Sequence, residues 1–182
     1  MDMVCYTGAM SMKELPNPYE HFFLGNRWEL PPRIELINPA VEELRRRMHA
    51  AGWDEETSHD LGLGLDEALT NSMLYGSLGM AGGKKKIELL QDVTNRLNAL
   101  REEGKAPSSI TVEIDISNSE IKIILTDQGK GFDESAVPNP TLPENLTKGY
   151  GRGILLIRHY FDNATYSEGG RKLELIKRRG LA

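Results

Sequence analysis

An α+β two-layer sandwich is the fold class this sequence predicts, with a mixed, mostly antiparallel sheet and helices on one face. Three features carry that expectation. Ile110, Val112, Ile114 and Ile116 alternate strictly with Thr111, Glu113, Asp115 and Ser117, and Ile121, Ile123 and Leu125 resume the alternation after Ser117-Asn118-Ser119-Glu120, which predicts a hairpin. Leu61, Leu65, Ala68 and Ser72 recur at helical spacing. Helices and strands interleave only in part, which argues against a doubly wound parallel sheet.

Each element follows from local chemistry. Residues 1–25 hold Pro16 and Pro18 without a sustained period and read as an N-terminal extension, with the domain proper spanning 26–182. Arg27-Trp28-Glu29-Leu30 alternates and stops at Pro31-Pro32, the pattern of a short edge strand. A helix is expected from about Asn38 to Ala51, with Asn38 as N-cap, Pro39 at the first helical position, Glu42 and Glu43 in the first turn and Gly52 as the stop. A second helix starts near Asp54 or Ser58 and runs to Tyr75, stopping at Gly76. Residues 79–83 are Gly-rich, and 84–103 then read as a helix with Ile87, Leu90, Leu97 and Leu100 near one face, which covers the core or, as the lesser alternative, pairs with a second chain. After the hairpin, Pro138, Pro140 and Pro143 break residues 133–148 into a loop. A helix over about 152–160 follows, then strands near 163–167 and 172–177 joined at Gly169-Gly170.

Composition narrows the function classes. The 182 residues fit one domain, since domains run to about 100–200 residues. Net charge is -5, so a generic nucleic-acid binder is not expected. Cys5 is the single cysteine, which excludes an internal disulfide and suits a reducing cytoplasm. No apolar run reaches the roughly 18–20 residues of a membrane helix, and the start of the chain does not read as a signal peptide. His21, His49, His59 and His159 lack metal-ligand spacing.

Chemistry-bearing residues fall in separate stretches. Glu67 and Asn71 stand four apart on one helix face, where a carboxylate can take a proton and an amide oxygen can meet a hard cation. Asp127, Gly129 and Gly131 follow a strand; Asp can accept a hydrogen bond from an exocyclic amine, and the glycines admit a flat ligand close to the backbone. Lys148, Gly149, Gly151, Arg152 and Gly153 precede a helix, where free N–H groups and the dipole attract an anion such as phosphate. Singly, each is also an ordinary helix face, turn or loop. The glycines match neither G-x-G-x-x-G nor the Walker pattern.

Taken in order, the set is similar to the N, G1 and G2 boxes of the GHKL (Bergerat-fold) superfamily, whose fold is the histidine-kinase-like ATPase domain. The phrases Leu65-Asp66-Glu67-Ala68-Leu69-Thr70-Asn71 and Gly151-Arg152-Gly153-Ile154-Leu155-Leu156-Ile157 resemble its single-domain anti-sigma factor serine kinases, as do Trp28-Glu29-Leu30-Pro31 and Leu173-Glu174-Leu175-Ile176-Lys177-Arg178. The resemblance spans about residues 27–178. It implies ATP with Mg2+ as the ligands: Asn71 on the metal, Glu67 as general base, Asp127 on the adenine amine with Gly129 and Gly131 beside the ring. It also implies Lys148, Gly149, Gly151, Arg152 and Gly153 around the phosphates and a lid over 133–148. The implied activity is a serine/threonine protein kinase phosphorylating a small anti-sigma-factor antagonist of the STAS type, with a sigma factor as a further partner and a homodimer as the assembly.

A non-catalytic, ATP-responsive regulator that sequesters its partner is the alternative. Histidine kinases and gyrase-like ATPases are not expected, because the flanking domains they need would not fit this length. The chain departs from the family pattern at Tyr75, where many relatives have His, at Arg171, where Thr is common, and in the length of 79–108.

Overall fold

The computed structural model describes residues 18–81, 86–133 and 152–180. Their strands are β1 (Arg27–Leu30), β2 (Ile110–Ile116), β3 (Glu120–Thr126), β4 (Asn163–Ser167) and β5 (Lys172–Arg178). The helices are α1 (Ile37–Ala50), α2 (Glu55–Asn71), α3 (Lys86–Glu102) and α4 (Gly153–Tyr160). The strands form a 5-stranded sheet in the order β1-β2-β3-β5-β4.

Every strand pair is antiparallel, where the sequence suggested a mixed sheet. The reason is topological. The chain leaves β3, crosses through α4 to the edge strand β4, and hairpins back so that β5 lies between them. β3 and β4 run the same way but are not neighbours, so no parallel pair forms among the described residues.

The period-two pattern sorts the side chains. Ile110, Val112, Ile114, Ile121, Ile123, Leu125, Leu173 and Leu175 are buried in one core, together with Trp28 and Leu30 of β1. Burying such a side chain is worth about 1.5–3 kcal/mol. The alternate residues Glu113, Lys122 and Glu174 take the other face, where Lys122 pairs with Glu174 at 2.7 Å and Arg27 with Glu113. The β2–β3 turn is closed by Ser117, whose N–H donates to the Glu120 carbonyl at 2.9 Å and whose Oγ accepts the Glu120 N–H at 2.9 Å.

Asn38 is not the cap of α1. A single 3-10 turn over Ile34–Leu36 leads into the helix, Leu36 takes the cap position without a side-chain bond, and Asn38 is an exposed residue of the first turn. Burial of Leu36 and Ile37 sets this start in place of capping chemistry. Gly52 ends α1 as expected, at φ +82 with its N–H on the His49 carbonyl at 2.9 Å. Arg47 of α1 binds the carbonyls of Phe23 at 2.6 Å and Gly25 at 2.7 Å, and Phe23 itself joins the core. Asp54 caps α2 by accepting the Thr57 N–H at 2.8 Å.

Helical geometry does not stop at Tyr75. The α hydrogen-bonding ends at Asn71 and a π turn continues over Ser72–Ser77. Of the expected face of α3, Leu90, Leu97 and Leu100 pack inward, joined by Leu89 and Val93, while Ile87 is 61% exposed. Leu89, Leu90, Val93, Leu97 and Leu100 form the inward stripe. That stripe packs on Leu74 and Leu78 in a cluster separate from the main core.

The helices α2 and α4 meet closely at Gly64 of α2. A Cβ there would lie 2.7 Å from the Phe161 ring and 3.4 Å from the Tyr160 Cβ, at the end of α4. Gly64→Ala is therefore expected to overpack the α2–α4 contact and cost about 1–3 kcal/mol in urea unfolding; unchanged stability would show that α4 is free to move away.

Candidate functional site

Glu67 and Asn71 stand one turn apart in α2, both half-buried. Their side chains meet the first residue of α4. A Cβ on Gly153 would lie 2.8 Å from Oε2 of Glu67 and 3.1 Å from Nδ2 of Asn71. Only a hydrogen fits, so the carboxylate and the amide lie against backbone. This places the amino end of α4, the positive end of its dipole, beside an acid and an amide. Arg152 is exposed and precedes the helix at the cap position.

Asp127 begins where β3 ends, and its carboxylate is half-buried. The backbone holds it on several sides. Its own N–H donates to the Arg171 carbonyl at 2.9 Å, and its Oδ1 accepts the Gly129 N–H at 2.8 Å. Burial pushes the carboxyl above the usual Asp range, with the Gly129 N–H and the Arg171 charge pulling partly back. A carboxylate offers about four lone-pair positions, so acceptor capacity remains after the Gly129 bond.

The glycines around Asp127 pack without spare room. A Cβ on Gly129 would sit 2.6 Å from the Gly76 carbonyl oxygen and 2.9 Å from Oδ1 of Asp127. Gly131, at φ +70, lies against the Gly169 carbonyl, where a Cβ would come to 2.0 Å. The Phe132 N–H donates to that same carbonyl at 2.9 Å, which locks the segment after β3 onto the β4–β5 turn. Phe132 packs edge-on against Tyr166 at 5.0 Å between ring centroids, and burial pushes the Tyr166 phenol up to about 12.

The structure thus brings Glu67 and Asn71 to Gly153, and Asp127 and Gly129 to Gly76, at successive points along one continuous element, α2 and its π turn, while Gly131 lies against Gly169 of the β4–β5 turn. Lys148, Gly149 and Gly151 lie outside the described residues, as does the expected lid apart from Asp133. Sequence reasoning missed Gly76, which it read only as a helix stop. A glycine inside a continuing helical turn was the available signal. It also missed the wedge formed by Gly170, whose Cβ would lie 2.6 Å from the Phe132 carbonyl oxygen. A separate cleft of about 550 Å³ lies among Glu20, Phe23, Leu24, Gly25, Glu43, Arg46 and Arg47, and no expected site residue lines it.

The donor chemistry suits a magnesium nucleotide. Mg2+ takes few protein oxygens, keeps several waters and shares the substrate phosphates, and the single side-chain oxygen of Asn71 is a set of that size. The Gly153 contact leaves backbone rather than side chain facing that pair, as an anion cradle requires. Asp127 supplies a half-buried acceptor between glycines, suited to an amine on a flat ring.

A helix-covered antiparallel sheet with such a site defines a nucleotide-binding α+β domain. Residues 30–177 match the family described as the histidine kinase-like ATPase domain, and the chain belongs to that family. It is 31% identical over 100 residues to the serine-protein kinase RsbW of Staphylococcus epidermidis, a match covering 50% of this chain and 62% of that protein. RsbW from two strains of the same species matches equally. The match therefore spans less than two thirds of these relatives' length. No described helix is long and apolar enough to cross a membrane.

Asp127 gives this site a pH signature. Because its folded pKa is raised, its ionisation costs stability; the contribution is intact below the ordinary value of 3.8 and is lost as pH rises through the raised value. Asp127→Asn is expected to be more stable than the wild type at neutral pH, the difference vanishing as pH falls toward 3.8. Urea unfolding across that range is the measurement, and a variant less stable at neutral pH would contradict the burial cost.

Proposed function

We propose that this chain is a Mg2+-ATP-dependent serine/threonine protein kinase of the anti-sigma-factor type, which phosphorylates a small antagonist protein of the STAS type and also engages a sigma factor. Residues 26–182 are read as the nucleotide-binding unit and 1–25 as an extension of it. The single observation that carries the reading is the meeting of Glu67 and Asn71 with Gly153 at the amino end of α4. The likeness to RsbW supports the choice of kinase within the family.

The residues divide the chemistry. Asp127 accepts the exocyclic amine of adenine, and Gly129 and Gly131 let the ring approach the backbone. Gly153 and Arg152 hold the phosphate end against the α4 amides. Asn71 supplies an oxygen to Mg2+, which when bound offsets negative charge on the phosphate oxygens. Glu67 takes the proton of the attacking seryl hydroxyl as that oxygen bonds to the γ-phosphorus of substrate ATP and ADP departs. Such transfer depends on positioning and electrostatics more than on covalent help from the protein.

Glu67→Gln is the test. It keeps the shape, so Mg-ATP affinity is expected to change little, while phosphate transfer to a serine of an antagonist protein falls by about 10²–10⁴-fold. Labelled ATP and phosphoserine mapping read the result. Transfer at the wild-type rate would remove Glu67 as the base. If the variant still controls its partner fully, sequestration rather than transfer is the function.

A further inference from the structure

The π turn after α2 is held from outside. Leu74 and Leu78 are buried against Leu89 and Leu100 of α3, in a cluster separate from the main core. Arg96 of α3 donates from Nε to the Leu78 carbonyl at 2.7 Å. The turn closes on itself through Leu78 N–H to the Met73 carbonyl and Met80 N–H to the Leu74 carbonyl, both at 2.9 Å, with Gly79 at φ +61. The turn also carries a cost. Ser77 Oγ is buried with no hydrogen-bond partner among the described residues. A π turn, rarer than the α form and frequent at functional sites, needs such outside support.

The inner side of this turn is Gly76. A Cβ there would lie 2.3 Å from Cγ of Asp127 and 2.6 Å from both carboxylate oxygens. The Asp127 carboxylate therefore rests directly on the Gly76 backbone. Any shift of the turn is passed to the carboxylate, since close-packed groups have no slack to absorb it.

We propose that α3 is a positioning element for the base site: Arg96, by holding the Leu78 carbonyl, keeps Gly76 seated against Asp127 and so sets the carboxylate that reads the nucleobase amine. This rests on the reading of Asp127 given above. Because α3 is fixed by a small apolar cluster, it can undock without global unfolding. Linkage then requires that a ligand on Asp127 favour the docked helix, as the docked helix favours the ligand.

The test is calorimetry on the full chain with ATP, inosine triphosphate (a 6-oxo group replaces the amine) and inorganic tripolyphosphate. Arg96→Ala is expected to lower the preference for ATP over inosine triphosphate about five- to tenfold, leaving tripolyphosphate affinity unchanged; Arg96→Lys, which can still donate, restores part of the preference. Hydrogen exchange of α3 amides is expected to slow on adding ATP and not on adding tripolyphosphate. Leu89→Ala supplies a second route to the same undocking should Arg96→Ala fold poorly. Unchanged preference in both variants overturns the inference, as does an equal loss for all ligands. A wild type that does not distinguish ATP from inosine triphosphate overturns the Asp127 reading itself, and this inference with it.

Discussion

Along α2 and its π turn, the fold leaves no room for a side chain where its neighbours touch it. Gly64 meets the Phe161 ring, Gly153 meets Glu67 and Asn71, and Gly76 meets Asp127. These contacts set how near α4 and the end of β3 approach one helix. A Cβ at any of them would open a gap in a layer that is otherwise close-packed. The candidate site follows from this closeness, because polar side chains of α2 then face the backbone of another element.

The sheet supplies the rigid side of the arrangement. Ile123 and Leu125 are buried in β3 and Leu173 and Leu175 in β5, so the ends of those strands have little freedom. Asp127 and Arg171 leave the sheet at that end, joined through backbone. The β4–β5 turn reinforces it with Glu168 at φ 52, followed by Gly169 at φ 68 and Gly170 at φ 88. Of these only Glu168 has a Cβ to accommodate, and left-handed backbone at a non-glycine residue is costly. The turn is held by the segment it presses on, Gly131 and Phe132.

Much of this was legible in the residues. The β2–β3 hairpin was readable because period two survives in every buried isoleucine, and α4 because a helix had to follow the glycine loop. What escaped were features that hydrophobic period does not encode. An α turn and a π turn over Ser72–Ser77 bury the same Leu74; they differ in hydrogen bonds, not in side-chain type. On α3 the misplaced residue was Ile87, which looks like core in a helical window but is exposed, whereas Leu89, two residues on, joins the expected Leu90, Leu97 and Leu100 in the cluster. Asn38 has cap chemistry, but the burial of Leu36 and Ile37 outweighed it. At the site, Glu67, Asn71, Asp127 and Gly153 were visible as types in order. Gly76 was not, since its importance lies in what it touches.

A single titration bears most directly on the claim that a magnesium nucleotide occupies the space beside Glu67, Asn71 and the start of α4. Mg2+-ATP added to the wild type is expected to give saturable binding. Gly153→Ala, whose added methyl would come within 2.8 Å of the Glu67 carboxylate, is expected to bind at least about tenfold more weakly with an intact fold. Equal affinity in the two proteins, or a wild type that takes up no nucleotide, would mean that the meeting of α2 with α4 serves packing alone.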